Sequence, residues 1–223
     1  MHVTPEDILT ARAAIEQHVL RTPTVAAPRL GEPLDVRLWL KLENLQYTGS
    51  FKDRGSCFRL EQLVAGTGGA RGVIAASAGN HAQGVAHHAH RLGLPAKIVM
   101  PVTTPFAKVE RTEGHGAEVV LHGESVAECT EHALQLAAEE DLEFVHPYDD
   151  PMIVAGQGTV AVEMLEDAPE LDTLIVPIGG GGLAAGVAVW AKHKNPDIRI
   201  YGCLLYTSPS PRDLSTSRMP SSA

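Results

Sequence analysis

The chain is short of the residues and runs that mark several common classes of protein. Three cysteines, Cys57, Cys129 and Cys203, are odd in number and far apart, with no C-x-x-C pair. That leaves no disulfide frame and no thiolate metal site, and the usage reads as reduced and intracellular. No apolar run approaches the roughly 18 residues that a bilayer-spanning helix needs. Basic residues are in deficit, 18 Lys and Arg against 27 Asp and Glu, for a net charge of −9. Such a balance repels polyphosphate, so nucleic acid and anionic membrane are poor partners. The opening stretch MHVTPEDILTARAAIEQ reads as an acidic amphipathic helix start rather than a signal peptide. What remains is the expectation of a cytoplasmic α/β protein.

What the chain does have is alternation. Strand-like apolar runs fall at 36–42, 72–77, 96–101, 117–122, 142–147, 172–178 and 198–202. Helical patterns fall at 52–65, 79–92, 105–114, 124–140, 151–166 and 182–194. Strands apolar on both faces and separated by helices indicate parallel sheets covered on each side. Seven strands could form one sheet or two smaller ones, and the pattern leaves both open. After Gly202 the run CLLYTSPSPRDLSTSRMPSSA is rich in Ser and Pro without sustained periodicity. Residues 203–223 are therefore expected to be a non-native or disordered tail on a truncated α/β chain.

Two turns carry chemistry. In PIGGGGLAAG, four glycines at 179–182 sit between a strand and a helix. They remove every β-carbon where backbone must approach something closely, and the helix start supplies unpaired N–H groups and a positive dipole end. That suits a phosphate, the alternative being a turn needed only for close packing. Gly179, Gly181 and Ala184 match G-x-G-x-x-A, yet the next strand ends IYGC without the acidic residue that holds a dinucleotide ribose. No Gly-Lys-Ser/Thr follows either, which removes the Walker loop, so a smaller phosphorylated cofactor fits better. The second turn, in IAASAGNHAQGVA, brings Ser77, Gly79, Asn80 and His81 to another helix start. It suits a carboxylate or an amide-to-phenolate hydrogen bond, against ordinary N-capping by Ser77 or Asn80. His87, His88 and His90 lack the i, i+4 spacing of a helical metal site and read as a solvated face, so no metal is expected.

Lys52, in TGSFKDRGS, lies at a helix start. A lysine there, partly desolvated, has a lowered pKa and offers a free amine as nucleophile. A phosphate cradle, a carboxylate-sized turn and such an amine together describe pyridoxal 5′-phosphate chemistry. Lys41, inside the strand pattern WLKLE, reads as structural.

The segments KLENLQYTGSFKDRGS, SAGNHAQGVA, GQGTVAVE and VPIGGGGLAAGVAV resemble, in order and spacing, the signature segments of the threonine dehydratase (threonine ammonia-lyase) family. These are pyridoxal-phosphate enzymes of the tryptophan-synthase-β type, fold type II, and the likeness runs to about residue 202. The resemblance implies two three-layer αβα domains with mostly parallel sheets. A large cofactor domain would comprise 1–49 plus 149–202, incomplete at its C-terminal end, and a small mobile substrate domain 50–148. It implies that Lys52 carries the cofactor beside Phe51, that Asn80 bonds its ring oxygen, and that Gly179, Gly180, Gly181, Gly182 and Leu183 hold its phosphate. Ser77, Ala78, Gly79 and His81 would hold the substrate carboxylate. Gln157 would face the substrate, or cap the turn it is expected in. The implied reaction is β-elimination of L-threonine or L-serine to a 2-oxo acid and ammonia, in a homodimer or homotetramer. Serine racemase resembles the chain too but carries Ser where Ala78 stands. A non-catalytic binder is the alternative from another class.

Overall fold

A computed structural model describes residues 2–67 and 71–204. The chain opens with α1 (Pro5–Ile15), whose N-terminus is fixed by a reciprocal box: Thr4 Oγ1 accepts the Asp7 N–H and Asp7 accepts that of Thr4. A short antiparallel pair follows, β1 (Thr24–Ala26) with β2 (Trp39–Lys41), and the single-turn α2 (Pro28–Gly31) lies between them. Then come α3 (Lys52–Thr67), β3 (Val73–Ala76), α4 (Asn80–Arg91), β4 (Ala96–Met100) and α5 (Phe106–Gly114). β5 (Glu118–Leu121), α6 (Val126–Glu140) and β6 (Glu143–Phe144) complete the middle of the chain. It closes with α7 (Pro151–Asp167), β7 (Thr173–Ile178), α8 (Gly182–Lys194) and β8 (Arg199–Leu204).

The seven expected strands all form, divided among three sheets rather than one or two. The middle sheet is parallel throughout, in the order β5-β4-β3-β6. Its alternation sorts the core into two faces. Val73, Ala75, Ile98 and Met100 pack with Leu60 of α3 and Val85 of α4; Ile74, Ala76 and Val99 pack with Cys129 and Ala133 of α6. This is a three-layer αβα unit. β7 and β8 form a separate parallel pair; Leu174 and Val176 of β7, with Ile198 just before β8, pack on α1, α7 and α8 through Ile8, Val160, Val187 and Trp190. Burying each such side chain contributes roughly 1.5–3 kcal/mol. The opposite face of that pair is bare: Ile175 and its cross-strand neighbour Tyr201 are 68% and 56% exposed.

The two units meet where α3 crosses α7. A β-carbon on Gly156 would lie 2.6 Å from the Gly55 α-carbon, so the helices touch backbone to backbone. That crossing brings the start of α3 close to the second unit. β1 lay outside the strands expected from sequence, being only three residues long. β8 runs through Leu204, two residues into the stretch expected to be tail, and the rest of that stretch lies outside the described residues. No described helix is long and apolar enough to cross a membrane.

Candidate active site

α3 starts at Lys52, and the residues around it explain where its amine points. Asp53 is fully buried and accepts the Thr48 N–H at 2.9 Å and the Thr48 hydroxyl at 2.7 Å, which pins the preceding loop. Burial pushes its carboxyl up, but the nearby His88 ring and the hydrogen bonds from Thr48 outweigh this and hold it below the usual range. Arg54, also fully buried, spreads its guanidinium between Glu43 (2.7 Å) and Glu163 (2.7 and 2.8 Å). Lys41 joins the same network through Glu163 at 2.6 Å, the structural role its sequence position suggested. With both neighbours turned inward, Lys52 projects the other way and donates from Nζ to the Pro147 carbonyl at 2.5 Å. The Phe51 ring centroid lies 5.5 Å from that nitrogen. Burial lowers the Lys52 pKa to about 8, as a helix-start lysine awaiting a partner requires.

Two helix N-termini lie in this part of the fold, α4 packed on the start of α3 and α8 reached through Tyr148. α4 begins at Asn80 with Gly79 as its cap residue and no side-chain cap. The capping alternative for this turn fails, because Ser77 Oγ accepts the Gly79 N–H at 3.2 Å, before the helix begins, and Asn80 is exposed. His81 is buried, with Nε2 2.9 Å from the Val145 carbonyl and Nδ1 without a partner. Burial first, and then the charge of Lys52, pull its pKa down to about 3, so the ring is neutral and Nε2 is its donor. One turn on, a β-carbon at Gly84 would lie 3.3 Å from the Lys52 carbonyl, so α4 packs tightly on the start of α3.

The glycine loop closes the third side. Gly181 has φ +92°, in the region that glycine adopts without strain, and α8 starts at Gly182 with no side-chain cap. A β-carbon at Gly180 would run into the Tyr148 ring, and one at Gly182 would come 3.0 Å from the Tyr148 carbonyl oxygen. At Gly179 or Gly181 it would meet nothing within 4 Å. The loop is therefore shut by Tyr148 on one side and open on the other. Leu183 is buried behind it.

Lys52 and the loop thus meet through the segment 146–149, which sequence reasoning did not single out. The signal was available: HPYDDP follows a short parallel strand, and ligands of parallel α/β sheets sit at the strands' carboxyl ends. Gln157 is not in a turn. It lies inside α7, 1% exposed, and its Oε1 accepts the Gly55 N–H at 3.3 Å, so a capping role is excluded. His88 departs from the solvated face expected of it, being fully buried 3.7 Å from Asp53. Among the described residues, no group of three or more His, Cys, Asp or Glu could hold a metal. A cavity of about 940 Å³ lies between β2 and β7. Phe51 and Leu183 line it, while Lys52 and the four glycines do not.

The scaffold is parallel α/β, with a half-buried lysine of lowered pKa and two helix starts that no side chain caps. The chain belongs to the pyridoxal-phosphate dependent enzyme family, whose model matches residues 15–218. It is 47% identical over 197 residues to the catabolic L-threonine dehydratase of Staphylococcus aureus strain N315, covering 88% of this chain and 57% of that one. The chain therefore spans little more than half the length of that relative. Maize serine racemase superposes with a TM-score of 0.86 at 36% identity over 91% of this chain and 61% of the other. The processed threonine deaminase isoform 2 of Solanum lycopersicum superposes at 0.81, with 35% identity over 92% and 58%. The fold is thus fold type II, as the motifs implied. The residues fit the family's cofactor: an amine of lowered pKa suits an aldehyde, and the open side of the glycines at an uncapped helix start suits a phosphate.

Proposed function

We propose that the chain is the cofactor-holding part of an ammonia-lyase that converts L-threonine, and L-serine, to 2-oxobutanoate or pyruvate and ammonia. The observation that carries this reading is the Lys52 amine, its pKa lowered to about 8, bonded to the Pro147 carbonyl next to the Tyr148 that packs on the glycine loop. In this reading Lys52 holds the cofactor aldehyde, with Phe51 beside it. Gly179 to Leu183 hold the phosphate, and Asn80 bonds the ring oxygen. Ser77, Ala78, Gly79 and the N–H groups opening α4 hold the substrate carboxylate, with His81 as a neutral wall; Gln157 supports α3 from behind. Pyridoxal phosphate, when bound, supplies an aldehyde that captures amines and a conjugated ring that draws charge from the α-carbon. The chain's own contribution is orientation and proton movement. Once the substrate amine has displaced it from the aldehyde, the Lys52 amine, uncharged in a large fraction of molecules near pH 8, would take the α-proton; the β-hydroxyl would leave with a proton as water, and water would then release the nitrogen as ammonia. Residues 1–49 with 149–202 act as the cofactor domain and 50–148 as the mobile substrate domain, in a homodimer or homotetramer.

Racemisation is the second reading, favoured by the likeness to maize serine racemase. It needs a proton carrier on each face of the α-carbon, and Ala78 has no proton to move where the racemases carry Ser. The test is to supply pyridoxal phosphate with L-threonine or L-serine to a chain extended to the relatives' length, and to measure 2-oxo acid and D-serine together. Release of 2-oxo acid, abolished in Lys52→Ala, supports the lyase. D-serine as the main product would replace it with the racemase. A protein that binds ligand, stays colourless and turns over neither substrate would be a non-catalytic binder.

A further inference from the structure

The segment joining Lys52 to the glycine loop is folded by a residue that the proposed reaction does not use. His146 Nδ1 accepts two backbone hydrogen bonds, from the Tyr148 N–H at 3.3 Å and the Asp149 N–H at 2.7 Å. Its ring also packs edge-on against Tyr148, with centroids 4.7 Å apart. Both ends of the segment are anchored independently. Val145 donates its N–H to Ile74 of β3 at 2.8 Å. Asp150 caps α7 by accepting from Met152 and Ile153, and it pairs with Arg59 of α3 at 2.9 Å. The course of the chain between those anchors is set by the two bonds to His146. That course carries the Pro147 carbonyl that receives Lys52 and the Tyr148 ring that shuts one side of the glycines.

We propose that His146 is a positioning residue: by accepting the Tyr148 and Asp149 N–H groups on Nδ1, it folds the loop so that Lys52 and the glycine loop hold one geometry. Two donors on Nδ1 require a lone pair there, so the ring is neutral with its proton on Nε2. An imidazolium would point an N–H at two N–H groups and release the turn. The groups facing the ring are Lys52 from α3, His81 from α4, and Asp149 and Asp150 at the start of α7. Burial, partly opposed by Asp149 and Asp150 and reinforced by Lys52, keeps His146 below the ordinary imidazole range. The accepting form therefore persists at neutral pH, and acid removes it.

This inference rests on Lys52 being the amine that takes the cofactor aldehyde, so the experiment begins with that arm. Pyridoxal phosphate is titrated into the chain and reduced with borohydride, and the modified peptide is identified by mass. Absence of label at Lys52 sinks the proposed function itself. The inference is read separately. In ¹⁵N-histidine spectra at pH 7 the signal lost in His146→Asn should report the Nε2–H tautomer; a proton on Nδ1 would overturn the proposal. His146→Leu should raise the half-saturating cofactor concentration about tenfold, the effect of one lost hydrogen bond left uncompensated. His146→Asn, whose amide oxygen can accept in place of Nδ1, should stay within about twofold of the parent. Below the ordinary imidazole range the parent should weaken more steeply than His146→Asn, which has nothing to protonate. A Leu variant that binds like the parent, or identical pH profiles for parent and Asn, would overturn it. Should the Leu variant fail to fold by circular dichroism, the tautomer and the pH comparison decide.

Discussion

At the scale of single residues the account turns on how water is removed from one amine. Burial alone brings Lys52 to about 8, so its reaction with an aldehyde should rise through pH 8, not through the ordinary lysine range near 10.5. The linkage has a definite sign. Between 8 and 10.5 the folded chain holds fewer protons at Lys52 than the unfolded chain, so this group's contribution to stability grows as pH rises across that window. Denaturant midpoints for the parent and Lys52→Met, compared at pH 7.5 and 9.5, should converge as the pH rises; a constant difference would contradict the lowered pKa. The glycine loop gives a second residue-scale test. Gly180→Ala drives its new methyl into the Tyr148 ring and should cost at least about tenfold in cofactor affinity, on the scale of an overpacked core. Because the obstruction is side chain rather than backbone, Tyr148→Ala in the same molecule should recover part of that loss. Full affinity in Gly180→Ala would mean that the loop is not held as described.

At the scale of elements, α3 is aimed by its buried charges. Arg54 satisfies two carboxylates and Lys41 shares one of them, so Arg54→Ala leaves Glu43 and Glu163 without their fork. Loss of one partner from a buried pair costs about 3–5 kcal/mol, and thermal unfolding should register it. Arg54→Lys should recover little, since a single ammonium cannot bridge both carboxylates bidentately. The helices and strands themselves were legible because their apolar periods are long and bounded by Gly, Pro or Asx. β1 was not: three residues, two of them exposed, leave no period to read. Nor was the division into sheets, which depends on pairings such as Val73 with Glu143 that no local pattern encodes. Lys52 and the glycines could be read because each stands at a strand-to-helix or loop-to-helix boundary where backbone donors are free. Pro147 and Tyr148 are marked only by their place after a parallel strand, since what they touch is distant in sequence: Lys52, 95 positions earlier, for Pro147, and the glycine loop for Tyr148. The turn-capping alternative for Gln157 failed for a related reason. Gly156 and Gly158 suggest a turn, yet they serve as contact points in a helix that others must approach closely.

At the scale of the whole molecule, one unit is covered on both faces and the other on one. Parallel sheets are ordinarily buried on both faces, so the exposed Ile175–Tyr201 pair beside the 940 Å³ cavity is the apolar surface on which association is expected. The protein should self-associate, and Ile175→Lys with Tyr201→Lys should shift sedimentation towards monomer without lowering the unfolding temperature. No change in sedimentation would show that face to be inert. The proposed site draws on both units, with α3 and α4 from the first and the glycine loop and α8 from the second. The measurement that reaches the centre of the account is borohydride trapping of added pyridoxal phosphate, mapped by peptide mass across the chain. The account predicts a stoichiometric label on Lys52, no preferential label on Lys41, and loss of the label in Lys52→Ala. A label spread over surface lysines, or one that survives in Lys52→Ala, would contradict it.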